Sequence, residues 1–357
     1  MTNQTIFNQL GTFDHEQIVF CNDNATGLKA IIAIHNTVLG PGLGGTRIWN
    51  YATEAEAIND VLRLSRGMTY KAAISGLNLG GAKAVIIGDA NTIKTESLMR
   101  KFGRFVENLN GKYITAEDVN TTTKDMVYVN METDHVVGLP ENMGGGGDPS
   151  PVTAYGTYMG MKASAKHAWG KDSLAGKKIA VQGIGKVGGH LLEFLHKEGA
   201  QLFISDINNN TLKHYADTLG ATVVNGDDIY SADVDIFAPC ALGAILNTEN
   251  IAKLKCAIVA GAANNQLAEE ETHGPMLLEK GIIYAPDFLI NAGGLINVYQ
   301  EYIGYNRDLA YQKAEHIYDV TLEILKASDA SKTHTQKVAI QMAEKRIADI
   351  AKVSSTY

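Results

Sequence analysis

Two lysines and an aspartate stand where this chain could do proton chemistry. Lys71 ends the segment RGMTYK, Lys83 follows paired glycines in NLGGAKAV, and Asp118 closes YITAED. Each occurs where a helix or strand meets a loop, and a glycine beside Lys83 lets another backbone or a substrate come close. Lysine is seldom fully buried unless it is paired. One planted among small residues at the head of an apolar run has two readings. It is a strand-end ammonium snorkelling into water, or an amine held in a cleft with a lowered proton affinity. The residues alone leave both open.

A second constellation is more specific. VQGIGKVGGH supplies Gly183, Gly185 and Gly188 as a complete G-x-G-x-x-G, with Ile184, Lys186 and Val187 between them. The apolar run KKIAV precedes it, a helical pattern follows it, and the next strand-like run, QLFISD, ends at Asp206. The first glycine permits the tight turn, the second lets backbone approach a pyrophosphate, and the third lets helix and strand pack closely. The helix N-terminus then turns its positive end to the phosphates. Asp206 falls near where an acid accepts from an adenine ribose 2′-hydroxyl, and its charge repels a 2′-phosphate, so the expected cofactor is NAD. The bland alternative is a structural turn with a solvent-facing aspartate.

The elements that must position these groups read as follows. The early runs EQIVFCND and LKAIIAIHNT are strand-like and split by a turn; Thr53 with Glu56 marks a helix start. Ile58, Val61, Leu62, Ser65, Met68 and Ala72 then share one helical face. Consecutive strands before the first helix predict a mixed sheet. GLPENMGGGGDPSP forms no regular element and reads as a hinge. Beyond it, strand and helix alternate in the doubly wound manner, and two helical patterns close the chain, at about 307–328 and 334–352. The expected fold is therefore α/β, with an N-terminal mixed-sheet substrate domain and a Rossmann-type doubly wound NAD-binding domain.

Bulk properties narrow the function classes. The 357 residues exceed what one hydrophobic core usually serves, so two domains are expected. A net charge of −8 argues against nucleic acid as a partner. No apolar run suits a membrane span, and the first ten residues lack the pattern of a signal peptide. Cys21, Cys240 and Cys256 are too few and too scattered for a disulfide framework or a metal site, so no metal is expected and a cytoplasmic location is. The histidines show no pairing pattern and read as structural or surface residues.

GPGLGGTR, GMTYK, GLNLGGAKAVI, YITAEDV, PSPVTAYG, APCALGA, ANNQL and YAPDFLINAGGLINV occur in this order and span nearly the whole chain. Together they resemble the glutamate/leucine/phenylalanine/valine dehydrogenase family, with its leucine-acting branch the best fit. The resemblance implies that Lys71 grips a substrate carboxylate, Lys83 is the proton-transfer base, and Asp118 handles protons on the substrate nitrogen while pairing with Lys83. It places Thr153 and Asn264 at the cofactor and Asn291 at the substrate; a helix N-cap role for Thr153 and turn roles for the asparagines are the alternatives. Leu43, Gly44, Met68, Leu295 and Val298 are candidates for the substrate pocket, the apolar ones equally for ordinary core. The resemblance also implies a domain of residues 1–148 for substrate and oligomerisation, to which a helix at about 332–357 returns, and an NAD domain of residues 149–331. A homo-oligomer, the octamer, follows from the same source. Closure about MGGGGDPS is expected, since cofactor and amino-acid groups lie on different domains.

The implied reaction is NAD-dependent oxidative deamination of a small L-amino acid, reversibly. Leu295 stands where leucine-acting members tend to carry valine, and Val137 where threonine is common, whereas Ala116 is of the leucine type. No charged residue appears among the wall positions, which disfavours glutamate. Leucine, with other branched-chain amino acids, is the first expectation; phenylalanine, or a catalytically silent NAD-binding sensor, is the alternative.

Overall fold

The structure is a computed structural model that describes residues 5–354. It divides into two compact units. One holds the residues through Gly147 together with Val298–Asn306 and those from Ala343 onward; the other holds Asp148–Asn297 and Arg307–Met342. The division therefore falls within the glycine-rich stretch read as a hinge. The C-terminal return is narrower than a helix from about 332 would make it. The helix Thr335–Ser354 begins in the second unit, where the Thr335 hydroxyl donates to the carbonyl of Tyr284, and only its later part belongs to the first. There Arg346 donates to the carbonyls of Ala73 and Leu77. Residues 355–357 of that expectation lie outside the described residues.

The first unit is built on five strands: β1 (Gln17–Asp23), β2 (Leu28–Asn36), β3 (Gly42–Trp49), β4 (Gly80–Ile87) and β5 (Tyr113–Glu117). Their spatial order is β1-β2-β4-β3-β5, with β1–β2 and β2–β4 antiparallel and β3 parallel to both β4 and β5. The helices are α1 (Ile6–Phe13), α2 (Glu54–Ile74), a short α3 (Ala90–Ile93), α4 (Glu96–Glu107) and α5 (Thr123–Asn130). Alternation along the strands sends Ile31, Ala33 and Val85 under α2, against Ala57, Ile58, Val61 and Leu62. The opposite face sends Ile32, Ala84 and Ile86 against Leu98, Met99, Phe102 and Val106 of α4.

Helix α2 starts as expected, with the Thr53 hydroxyl accepting from the Glu56 amide and the Glu56 carboxylate accepting from Ala52. Met68 departs from expectation: it is only half-buried, and Thr69 takes the line that packs on the sheet. The glycine-rich run containing β3 was not expected as a strand, yet it lies between β4 and β5. Glycine is depleted from strands because it has no side chain to pack. Here that lack is the requirement, since a Cβ on Gly44 would collide with the Ala82 carbonyl.

The second unit carries six parallel strands, β6 (Lys178–Gln182), β7 (Gln201–Ser205), β8 (Thr222–Val223), β9 (Ile236–Pro239), β10 (Ile258–Val259) and β11 (Ile283–Tyr284). Their order, β11-β10-β9-β6-β7-β8, is the doubly wound arrangement with its switch point between β6 and β9. Helix α6 (Ser150–Trp169) leads in, and α7 (Lys186–Glu198) follows β6. The glycine-rich stretch before α6 is tied down at its beginning and near its end. Within the first unit, the Glu301 carboxylate accepts from the amides of Leu139 and Gly146.

Two histidines, contrary to the sequence reading, do form a pair. His15 and His35 meet edge-to-face with ring centroids 4.8 Å apart. His35 Nε2 lies 3.0 Å from the carbonyl of Phe13, which can only accept, so Nε2 carries the proton and Nδ1 accepts from the Thr69 hydroxyl at 2.8 Å. His15 Nε2 reaches the Ser65 hydroxyl at 2.8 Å. The pair thus joins the end of α1 to α2. Burial drives the pKa of His15 down to about 4 and that of His35 down to about 3, the latter with help from His15 itself. Both are neutral when folded, whereas an unfolded histidine titrates near 6.5. The unfolded chain therefore binds more protons below that value, and stability present above it is lost as pH falls towards 3–4. We expect the thermal midpoint to fall by several degrees between about pH 6.5 and pH 5, above most carboxylate titration. A His15→Asn/His35→Gln variant, followed by circular dichroism, should show a flatter dependence over that interval.

Candidate active site

Lys83 is in β4, on the face that Val85 presents to α2. Its side chain is 6% exposed, and Nζ lies 3.1 Å from Oδ2 of Asp118, the residue just past β5. The surface reading of this lysine is therefore excluded. The preceding glycines serve backbone packing: a Cβ on Gly81 would collide with the Thr69 amide and hydroxyl in α2. They press the helix onto the strand, whereas the sequence had suggested either a backbone or a substrate there. Gly45 does similar service for Asp118, since a Cβ there would come within 2.9 Å of the Asp118 Cβ.

Three participants carried no expectation. Arg47 in β3 pairs in register with Val85, so it emerges on the same face as Lys83. Its Nε donates to Asp118 Oδ2 at 2.8 Å and its Nη1 to Asp60 Oδ2 in α2 at 3.1 Å. Tyr51 donates its hydroxyl to the same Asp60 oxygen at 2.6 Å. Arg47 was visible in GGTR, but nothing in a glycine-rich run revealed that it lay in a strand beside Lys83.

The charges act on one another. Burial pushes the Lys83 amine below its ordinary value, Asp118 opposes that fall, and Arg47 adds to it. The repelling charge is that of Arg47. Burial would raise the Asp118 carboxyl, but Lys83 and Arg47 together hold it below the usual carboxylate range. The arrangement provides a shielded amine balanced between a carboxylate that holds its proton and a guanidinium that repels it. Lys71 lies half-buried in the last turn of α2, and its carbonyl accepts from the Ser75 amide and hydroxyl.

In the second unit the glycine loop joins β6 to α7, as expected. Gly183 has φ +93°, and a Cβ there would meet Ala241 at 2.5 Å. A Cβ on Gly188 would collide with the Gly183 carbonyl, the close approach of helix and strand. Gly185, at the N-cap of α7, faces open space. Asp206, half-buried just past β7, accepts from the amides of Ile184 at 2.6 Å and Asn208 at 2.8 Å. An open cradle at a helix N-terminus, with an acceptor-only carboxylate beside it, fits a dinucleotide with a free ribose hydroxyl. Lys186 pairs with Asp148 at 3.1 Å.

Thr153 is not a cap. It lies inside α6 and donates to the Pro149 carbonyl at 2.9 Å. A Cβ on Gly294 would come within 2.9 Å of its hydroxyl, and Asn291 Nδ2 donates to Asn264 Oδ1 at 2.7 Å. Thr153 is thus set against the INAGG segment, and Asn264 is joined to it. Among the pocket candidates, Leu43 and Leu295 are buried while Val298 and Met68 are half-buried; Leu43, Met68 and Val298 belong to the first unit and Leu295 to the second. Gly44 is packed in the sheet, its carbonyl accepting from the Tyr113 hydroxyl at 2.8 Å.

Two family models match the chain. That described as Glu/Leu/Phe/Val dehydrogenase, dimerisation domain, covers residues 15–135, and that described as Glutamate/Leucine/Phenylalanine/Valine dehydrogenase covers 144–209 and 202–355. The chain belongs to this family. It is 54% identical over 352 residues to a leucine dehydrogenase of Thermoactinomyces intermedius, covering 99% of this chain and 96% of that protein. A phenylalanine dehydrogenase of Bacillus thermotolerans is 49% identical over 352 residues, covering 97% and 91%. The crystal structure of L-tryptophan dehydrogenase from Nostoc punctiforme superposes with a TM-score of 0.87 at 46% identity, covering 97% of this chain and 99% of that one. The protein is accordingly an amino-acid dehydrogenase, and its cofactor is NAD. Among the described residues no helix is long and apolar enough to cross a membrane, and no cluster of ligating side chains could hold a metal ion.

The glycines of the loop make separable predictions. Gly185→Ala fills the open cradle without touching protein, so NADH affinity should fall by about tenfold or more with the thermal midpoint unchanged. Gly188→Ala forces helix from strand and should lower the midpoint itself. Fluorescence titration with NADH and thermal melts distinguish the two; unchanged affinity in Gly185→Ala would mean that no pyrophosphate lies there.

Proposed function

We propose that the protein catalyses reversible oxidative deamination of L-leucine and related branched-chain L-amino acids to the 2-oxo acid, ammonia and NADH. The observation that carries this reading is the buried Lys83–Asp118 pair, in a chain sharing 54% identity with a leucine dehydrogenase. Lys71 would hold the substrate carboxylate as a fixed cation. NAD, when bound, would supply the hydride acceptor for the substrate Cα. Gly183, Gly185 and Gly188 with the α7 N-terminus would hold its pyrophosphate, Asp206 its ribose, and Thr153 and Asn264 its nicotinamide end, while Asn291 would bind the substrate. Ile184, Lys186 and Val187 complete the loop.

The substrate ammonium must first give up a proton, which the Asp118 carboxylate can take; loss of hydride from the neutral amine then leaves an iminium carbon that water must attack. Neutral Lys83 takes the proton from that water, and Asp118 returns its proton to the nitrogen, which must be protonated to leave as ammonia. A lysine titrates near 10.4 when unperturbed, too high for a base at neutral pH. Burial lowers it, which supports the assignment. Lys83→Ala should keep NADH binding and lose at least about a hundredfold in kcat. Near-normal turnover would end the reading.

The apolar candidates Leu43, Met68, Leu295 and Val298 support an aliphatic substrate, with Gly44 beside Leu43. Each methylene in such a pocket discriminates by only ~1–3 kcal/mol. Leu295 and the phenylalanine dehydrogenase at 49% identity favour a second reading, an aromatic substrate. Comparing kcat/KM for leucine, isoleucine, valine and phenylalanine decides between them, a clear phenylalanine preference overturning the first. A homo-oligomer, the octamer, is proposed from the family resemblance. Three free thiols suit a reducing cytoplasm.

A further inference from the structure

Asp118 presents one oxygen to two cations. Its Oδ2 accepts from Arg47 Nε at 2.8 Å and lies 3.1 Å from Lys83 Nζ. We propose that Arg47 is a positioning residue of the reaction, the permanent partner of Asp118 that leaves Lys83 free to give up and take back its proton. The inference rests on Lys83 being the base and goes beyond that role to what makes it workable.

A lysine whose half-buried carboxylate has no other cation is poorly placed to be a base, because deprotonating it would strand that carboxylate without a partner. Guanidinium does not deprotonate in proteins. With Arg47 in place, Asp118 stays satisfied whether Lys83 is charged or neutral, so the dispensable proton is the one on Lys83. Arg47 is itself fixed from a second side, donating to Asp60 Oδ2 at 3.1 Å, and Tyr51 donates to that oxygen too. The two donor nitrogens of Arg47 each reach one carboxylate from a rigid planar group, which suits an arginine at this position in β3. The groups around Lys83 are Arg47 from β3, Asp118 beyond β5, and Asp60 from α2, with exposed Arg63 behind Asp60 at 3.4 Å. Tyr51 stays protonated, raised by burial and by Asp60, and α2 also carries Lys71. Arg47 lowers the proton affinity of Lys83, whereas Asp118 and Asp60 raise it.

The test is the pH profile of kcat for oxidation of leucine, which reports groups in the bound complex. In Arg47→Gln the rising limb should move to higher pH by about one unit or more, losing roughly tenfold near neutrality and recovering towards the wild-type rate in alkali. In Asp60→Asn it should move the opposite way. Arg47→Lys, which keeps a charge but loses the planar two-nitrogen fork, should fall between wild type and Arg47→Gln. A purely structural role would lower the plateau or the thermal midpoint without moving the limb in opposite senses. If Arg47→Gln does not fold, the downward shift in Asp60→Asn and the upward shift in Arg47→Lys carry the test. Unmoved limbs in these variants, with Lys83→Ala inactive, would overturn the role of Arg47 alone. Normal turnover in Lys83→Ala would overturn the reading beneath it.

Discussion

An ammonium taken out of water is the constraint on which the first unit turns. Lys83 is 5% exposed in the middle of a sheet, and a lone charge there would be expelled or neutralised. The fold meets that cost by bringing carboxylates from two other elements, Asp118 beyond β5 and Asp60 on α2, and by spanning both with Arg47. Two positive and two negative side chains share one small volume. Such a set is marginal as a source of stability, because desolvation consumes most of the Coulombic gain. Its value is chemical, in that the proton on the amine is held less firmly than any other in the group.

That density of charge requires close backbone packing, and glycine supplies it. Gly44, Gly45 and Gly81 each lie where a Cβ would meet a neighbouring strand or helix. With no side chains there, β3, β4 and α2 approach until Arg47 and Lys83 share an oxygen of Asp118 and Arg47 also reaches Asp60. Insertion of even one methyl group between strand and helix would separate charges whose interaction falls with distance. The glycines and the charges are one device, although only the charged residues touch one another.

Much of this was legible in the sequence, and the exceptions have physical causes. β1, β2 and α2 were readable because strand-like runs split by a turn, and a threonine cap, are local signals. The NAD loop was readable because strand, glycines, helix and Asp206 all fall within one contiguous βαβ unit. β3 was not, since its glycines erase the alternation that marks a strand. With the strand hidden, its pairing with β4 was hidden too, and so was the neighbourhood of Arg47 and Lys83. The pairing of His15 with His35 was missed for a related reason: no period links two rings brought together by the end of α1.

The two sites differ in how they treat space and charge, and this difference explains their unequal legibility. The glycine loop proposed for the cofactor leaves room: Gly185 is open at the N-terminus of a helix, whose partial charges would face a bound phosphate. A motif made of absent side chains at fixed spacing can be read from a short string. The proton-transfer group works by filling room with full charges drawn from β3, β4, α2 and the end of β5. Its geometry exists only once strand register is set, and register is decided by the packing of the whole sheet. Sequence can therefore nominate Lys83 and Asp118 as reactive types, while the proposed reason for Lys83 to act as a base lies in Arg47, whose place beside Lys83 only the pairing of β3 with β4 reveals.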